Sequence, residues 1–260
     1  MLIPVEPPAK VPVREAARAF GVVFGPSVVL DAMAGAALAT ALRSLRRHRR
    51  PSRPVALASG LVAAYLTVGR PLMLHWGATC EELRKPLPGD ELVPEPAIQS
   101  TRAVTIEAPP EAVWPWLAQL GQDRAGFYSY EFLENLAGCE MHNADEIHPE
   151  WQEREPGETV YLHPLNGLPV ARFEPGRVLA LEHWGSFVLE PHGPGDSRLI
   201  VRGRTPRGIG ALPNTLLMEI PHFVMERKML LGIKERAERT HTAALRRAMQ
   251  SAPVEAAVHA

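Results

Sequence analysis

One stretch of twelve residues concentrates the side chains able to move protons or hold a metal: Glu140-Met141-His142-Asn143-Ala144-Asp145-Glu146-Ile147-His148-Pro149-Glu150-Trp151. Neutral imidazole near a carboxylate can act as an oriented general base, hydrogen-bond a substrate, or ligate a metal. His142, Asp145 and His148 are therefore the candidate catalytic residues. A structural role competes with this one, in which Asn143 and Asp145 cap a turn and the two imidazoles bond the backbone. The histidine spacing matches no recognised zinc pattern, so neither a metal nor a cofactor is expected. His163, His183 and His222 stand alone in the sequence and read as structural. There is no Ser-His-Asp set, glycine-rich phosphate loop or clustered cysteine. Cys80 and Cys139 make neither a disulfide framework nor a CxxC metal site.

Aromatic residues give the second chemical signal. The chain is only 6 % aromatic, yet Phe127, Tyr128, Tyr130 and Phe132 fall within six residues, with Trp151 and Trp184 further on. Such rings build a core or line a small-molecule pocket, where they give a large apolar surface with a few polar tips. Methionine suits adaptable ligand surfaces as well as core gaps. The candidate ligand-binding residues are Trp114, Phe127, Tyr128, Tyr130, Trp151, Trp184, Met225 and Met229. A net charge of -1 gives no basic stripe and so no case for nucleic acid.

The elements that must position these residues centre on a long helix, expected at Pro221 to Met249 with a shorter helical approach from Leu212. At 100° per residue, Leu216, Ile220, Phe223, Val224, Leu230 and Leu231 form one apolar arc and Met218, Met225 and Met229 lie roughly opposite. The first half should therefore face a sheet on one side and core or cavity on the other. Pro221 predicts a kink or a helix restart. Upstream, Thr101 to Glu107 alternates as a half-buried strand, and Ala108-Pro109-Pro110-Glu111 turns it into a helix with Val113, Trp114, Leu117 and Leu120 on its apolar side. Glu158 to His163, Leu168 to Phe173, Arg177 to Glu182, Gly185 to Glu190 and Ser197 to Arg204 are short strand candidates. Asn166-Gly167, Glu174-Pro175-Gly176 and His192-Gly193-Pro194-Gly195 are the expected turns. Arg198, Arg202 and Arg204 alternate with Leu199 and Val201, which predicts one wet sheet face. The sum is an α+β domain.

Thr101 to Leu120, the run Gly126-Phe127-Tyr128-Ser129-Tyr130-Glu131-Phe132-Leu133-Glu134-Asn135, the run His142-Asn143-Ala144-Asp145 with Pro149-Glu150-Trp151, and Phe223-Val224-Met225-Glu226-Arg227 carry a resemblance. Together they resemble a bacterial branch of the SRPBCC superfamily, the START-like or helix-grip domains that include polyketide cyclases, lipid-transfer proteins and the major birch pollen allergen. The resemblance covers about Thr101 to Glu238. It implies a helix-grip fold, a curved antiparallel sheet wrapped around the C-terminal helix, with an apolar cavity between them. It also implies a lipid-like or polyketide-like small molecule as the partner. The superfamily spans binders and enzymes, so a cyclase or dehydratase using His142, Asp145 or His148 is the alternative activity.

The N-terminal third reads as membrane-associated. After a Pro-rich tail (1–18), region 19–78 holds two apolar segments, Phe20 to Leu42 and Pro54 to Trp76, each 23 residues and about 34 Å long if helical, enough to cross a bilayer core. Between them, Arg43 to Arg53 holds six Arg in eleven residues, which reads as a cytoplasmic anchor or as the solvated loop of a helical hairpin. Residues 79–98, rich in Pro and Gly, read as a linker to the domain at 99–249, and 250–260 as a tail. If the second segment spans, the domain is expected on the non-cytoplasmic side; a span by the first alone would leave it cytoplasmic.

Overall fold

The computed structural model describes residues 43, 52–208 and 211–251 of the 260-residue chain. The first apolar segment, the tail 1–18, most of the Arg cluster and all of 250–260 beyond Ser251 lie outside the described residues.

The second apolar segment forms helix α1, Arg53–Leu74. Pro54 occupies its first turn, where a missing N–H costs nothing. Pro71 would leave a gap further on, and just before it the turn Tyr65–Gly69 widens to i→i+5 bonding. None of the residues Arg53–Ala64 is buried, and Leu57, Leu61 and Leu72 are each about two-thirds exposed. From Tyr65 onward the helix meets the domain: Tyr65 and Arg70 bond Glu219, and Leu74 is buried.

Six strands form one antiparallel sheet: β1 (Pro96–Ile106), β2 (Thr159–His163), β3 (Asn166–Glu174), β4 (Val178–Leu181), β5 (Gly185–His192) and β6 (Asp196–Pro206), in the order β1-β6-β5-β4-β3-β2. Helix α3 (Pro110–Ala118) follows β1 and α4 (Glu131–Leu136) precedes the β2–β3 hairpin; the cysteine-led helix α2 (Cys80–Arg84) comes before β1. The last element, α5 (Ala211–Ser251), is 41 residues long and packs against α3, β1 and β6. This is an α+β arrangement consistent with the helix-grip fold. Its main core joins Ile106, Val113, Trp116, Leu117, Phe187, Leu199 and Val201 to Leu230 and Ile233 of α5. Full burial of such side chains contributes about 1.5–3 kcal/mol each.

Three expectations need correction. The helix runs through Pro221, so of the kink or restart expected there the restart does not occur. The turn of the β2–β3 hairpin is Pro164-Leu165, not Asn166-Gly167, since His163 pairs with Asn166. Gly167 is needed for a different reason: a Cβ there would come within 2.2 Å of Thr159 Cγ2 on the neighbouring strand.

The third correction concerns the outer sheet face, which is covered by the segment read as a linker. Thr79 and Glu82 close a capping box at the start of α2. Arg198 holds the Glu82 carboxylate at 2.7 Å, Arg202 reaches the Lys85 carbonyl at 3.0 Å and Asp90 at 2.9 Å, and Arg204 bonds the carbonyls of Asp90 and Val93. Leu87 packs beneath with Ala103, Val188 and Ile200. Proline and glycine forbid long regular structure but do not forbid packing, and the guanidinium fork can bond irregular backbone carbonyls as readily as regular ones. The alternating arginines are thus the clamp of this strap, and Arg202 is buried.

Candidate functional site

The loop from Gly126 to Tyr130 sits under α5, fixed from both sides. Tyr128 has φ 55°, a conformation that an aromatic residue rarely adopts. Its N–H donates to Asn143 Oδ1 at 2.5 Å, while Asn143 Nδ2 donates to the Ser129 carbonyl at 3.0 Å. The Asn143 N–H donates in turn to the Glu131 carboxylate. Ser129 Oγ donates to the Met225 carbonyl of α5 at 3.0 Å, and Gln119 Nε2 donates to the Tyr128 hydroxyl at 2.9 Å. Asn143 therefore explains part of the polar stretch as loop architecture. Its neighbours turn outward. His142 is exposed, and Asp145 lies at the surface between Arg236 at 3.0 Å and Arg239 at 3.3 Å. His148 stacks on Trp151 with ring centroids 4.1 Å apart and meets Glu150 at 3.3 Å. These three residues are not brought together around a common space.

A cavity of about 910 Å³ does lie beside α5, between it, the Phe127–Ser129 loop, α4 and the β2–β3 hairpin. Phe127, Leu133, Leu162 and Trp184 form its wall opposite Met218, Met225 and Met229. The methionine side of the helix thus borders open space, but so do Ile220 and Val224 of the apolar arc, while Leu230 and Ile233 are fully buried. Of the eight aromatic and methionine candidates, Phe127, Trp184, Met225 and Met229 line the cavity. Trp114 and Tyr128 are core residues, Trp114 against Phe173 and Tyr128 against Trp116. Tyr130 is 42 % exposed, and Trp151 stays with His148. At the rim, Leu136, Leu165 and Val224 are exposed although apolar.

The polar part of the wall is where sequence reasoning fell short. Glu226 is 1 % exposed and forms an ion pair with equally buried Arg102 at 2.6 Å. Arg102 also donates Nε–H to the Met73 carbonyl at the end of α1, and its guanidinium lies 5.4 Å from the Phe223 ring centre. Burial penalises the Glu226 carboxylate, yet Arg102 first, then His222 and Trp184, hold its pKa below the ordinary value. The second carboxylate oxygen accepts from Trp184 Nε1 at 3.3 Å and lies 3.2 Å from His222 Nε2. Such extra bonds are what a buried ion pair needs to offset lost hydration. Burial lowers the His222 pKa and Arg102 adds to this, against the opposing pull of Glu226. The imidazole lines the cavity and is 43 % accessible.

A second acid lines the far side. Burial, reinforced by Glu131, pushes the Glu134 carboxyl up to about 7, and its Oε2 is buried without a hydrogen-bond partner. Burial and then Glu134 push the adjacent Cys139 thiol up to about 12, so it is a protonated donor, to the Leu162 carbonyl at 3.5 Å.

No protein-family model matches the chain, and no curated protein or solved structure matches it either. The site therefore rests on its own geometry. His222 and Glu226 were visible in the sequence as an i, i+4 pair on the long helix, the spacing that puts two side chains on one face. The signal that makes the pair more than a surface contact, Arg102 on a strand more than a hundred residues away, has no local trace. Among the described residues no cluster could hold a metal ion.

Proposed function

We propose that this protein binds or carries a hydrophobic small molecule, lipid-like or polyketide-like, in the cavity beside α5, and does so at a membrane. The observation that carries the reading is the cavity itself: about 910 Å³ walled by Phe127, Leu133, Trp184 and three methionines, within the range of small-molecule sites. The resemblance of the Thr101 to Glu238 region to the SRPBCC superfamily points the same way. The membrane half of the proposal rests on α1, which among the described residues is the one helix long and apolar enough to cross a bilayer. Its apolar side chains are left uncovered by the domain. Arg70, near its end, meets Glu219 of α5 at 3.0 Å, next to Met218 of the methionine wall. That contact would hold the cavity close to the lipid surface, with the domain on the non-cytoplasmic side.

A cyclase or dehydratase acting through His142, Asp145 or His148 finds no support in their positions, since none of the three borders the cavity. The test of the binding reading is native mass spectrometry of the full chain from mild detergent, followed by organic extraction. A bound apolar molecule of a few hundred daltons is expected, and Met225→Trp, which puts an indole into the cavity, should weaken its retention. Protein that never carries such a mass, and takes up none from added lipid extract, would overturn the proposal.

A further inference from the structure

The polar corner of the cavity has one unused valence. Glu226 is ionised and its oxygens are taken by Arg102, Trp184 and His222. A carboxylate accepts only, so the His222 nitrogen facing it, Nε2, carries the hydrogen. Burial, with Arg102 nearby, favours the neutral imidazole, and in that form Nδ1 is the lone-pair nitrogen. It has no partner among the described residues, and His222 lines the cavity together with Trp184, Pro221 and Met225, its side chain 43 % accessible. An apolar ligand that filled this corner would strip water from Nδ1 and offer nothing in return, whereas a ligand with a donor there would not.

Building on the cavity reading, the geometry points to His222 Nδ1, oriented by Glu226 and Arg102, as the acceptor for an O–H group of the bound molecule. The ligand class is therefore an apolar body bearing a hydroxyl, alcohol, phenol or enol, positioned against α5 one turn before Glu226. The hydroxyl donates its hydrogen to Nδ1, and no bond is broken. Glu134, Cys139, His163 and Asn166 lie on the α4 and hairpin side of the cavity and are not part of this corner. Glu134, when protonated, carries a donor of its own and suits the opposite chemistry, an acceptor such as a carbonyl.

The experiment is a competition read by native mass spectrometry on the full-length protein in mild detergent. The probes are 1-hydroxypyrene and 1-methoxypyrene in equimolar mixture, the same ring with and without the donor, corrected for partition into protein-free micelles. Wild type should carry the hydroxyl probe in about tenfold excess, because buried acceptors reject ligands that cannot satisfy them. His222→Phe should bring the ratio to about one without abolishing binding; His222→Gln, which restores an acceptor oxygen, should keep most of the excess. If His222→Phe does not fold, His222→Met takes its place. A wild-type ratio near one, or an excess that survives in His222→Phe, overturns the inference and leaves the cavity reading standing. Failure of both probes to bind wild type overturns both.

Discussion

At the scale of single residues, the cavity wall contains two acids that the fold treats in opposite ways. Glu226 is kept charged by Arg102 and by two N–H donors, while Glu134 has a buried oxygen with no donor and a like charge in Glu131 beside it. The pH consequence follows from Glu134. Its folded pKa of about 7 stands above the ordinary carboxylate value of 4.5, so between these values the folded state binds more protons than the unfolded one. Stability should therefore be highest below about 4.5, as far as this group is concerned, and fall as the pH rises through about 7. Glu134→Gln should remove that fall and leave the protein more stable than wild type at pH 8 by about 1–3 kcal/mol. Denaturant melts of both proteins at pH 5 and pH 8 check this; a wild type whose midpoint does not fall relative to the variant would show that Glu134 is solvated. Nothing in the runs Phe132-Leu133-Glu134 and Val224-Met225-Glu226 distinguishes these two acids. Their difference arises from which strand and helix cover each one, and that is tertiary information.

At the scale of elements, the six strands, α3 and the long C-terminal helix were legible because each carries its own period or its own punctuation. Alternation marks β1 and β6, and Pro109-Pro110 marks the start of α3. The strap 79–93 was not legible, because its order comes from Arg198, Arg202 and Arg204 reaching Glu82, Asp90 and backbone carbonyls more than a hundred residues away in the chain. The same holds for the closest approach in the site region. Gly232 sits within α5 where a Cβ would lie 2.3 Å from the Tyr128 carbonyl oxygen and 2.8 Å from Tyr128 Cβ. In an open helix, Gly→Ala would stabilise by about 1 kcal/mol. Here the backbone of the Phe127–Ser129 loop is fixed by Asn143 and cannot retreat, so overpacking dominates. Gly232→Ala should destabilise by about 1–3 kcal/mol and loosen the loop that forms one cavity wall. Thermal melts decide it: a higher midpoint than wild type would mean that the loop yields to the helix and that Asn143 does not lock it.

For the whole molecule, the main relation is between α1 and the domain, which have no free linker between them. Two residues past the helix, the Trp76 carbonyl accepts from Ala103 N–H of edge strand β1 at 3.1 Å, and Arg227 of α5 lies 5.0 Å from the Trp76 ring centre. If α1 spans a bilayer, the domain must sit against its surface, and the exposed apolar rim of Leu136, Leu165 and Val224 gains a reason to be uncovered. The proposed side rests on charge: six Arg in Arg43 to Arg53 immediately precede α1, whereas its other flank has Arg84 and Lys85 at some distance. Basic residues close to a span tend to stay in the cytoplasm, so a spanning α1 would put the domain outside. A reporter active only in the cytoplasm, fused after Ala260, should therefore give no signal, and a reporter active only outside should give a strong one. Replacing the Arg cluster with Ser should weaken that bias if α1 is the orienting span. Strong cytoplasmic signal from the wild-type fusion would refute the outward orientation, and would instead fit a span formed by Phe20 to Leu42 alone. Recovery of the full chain in the soluble fraction would remove the membrane half of the proposal while leaving the cavity, and the hydroxyl-accepting corner within it, to stand on their own tests.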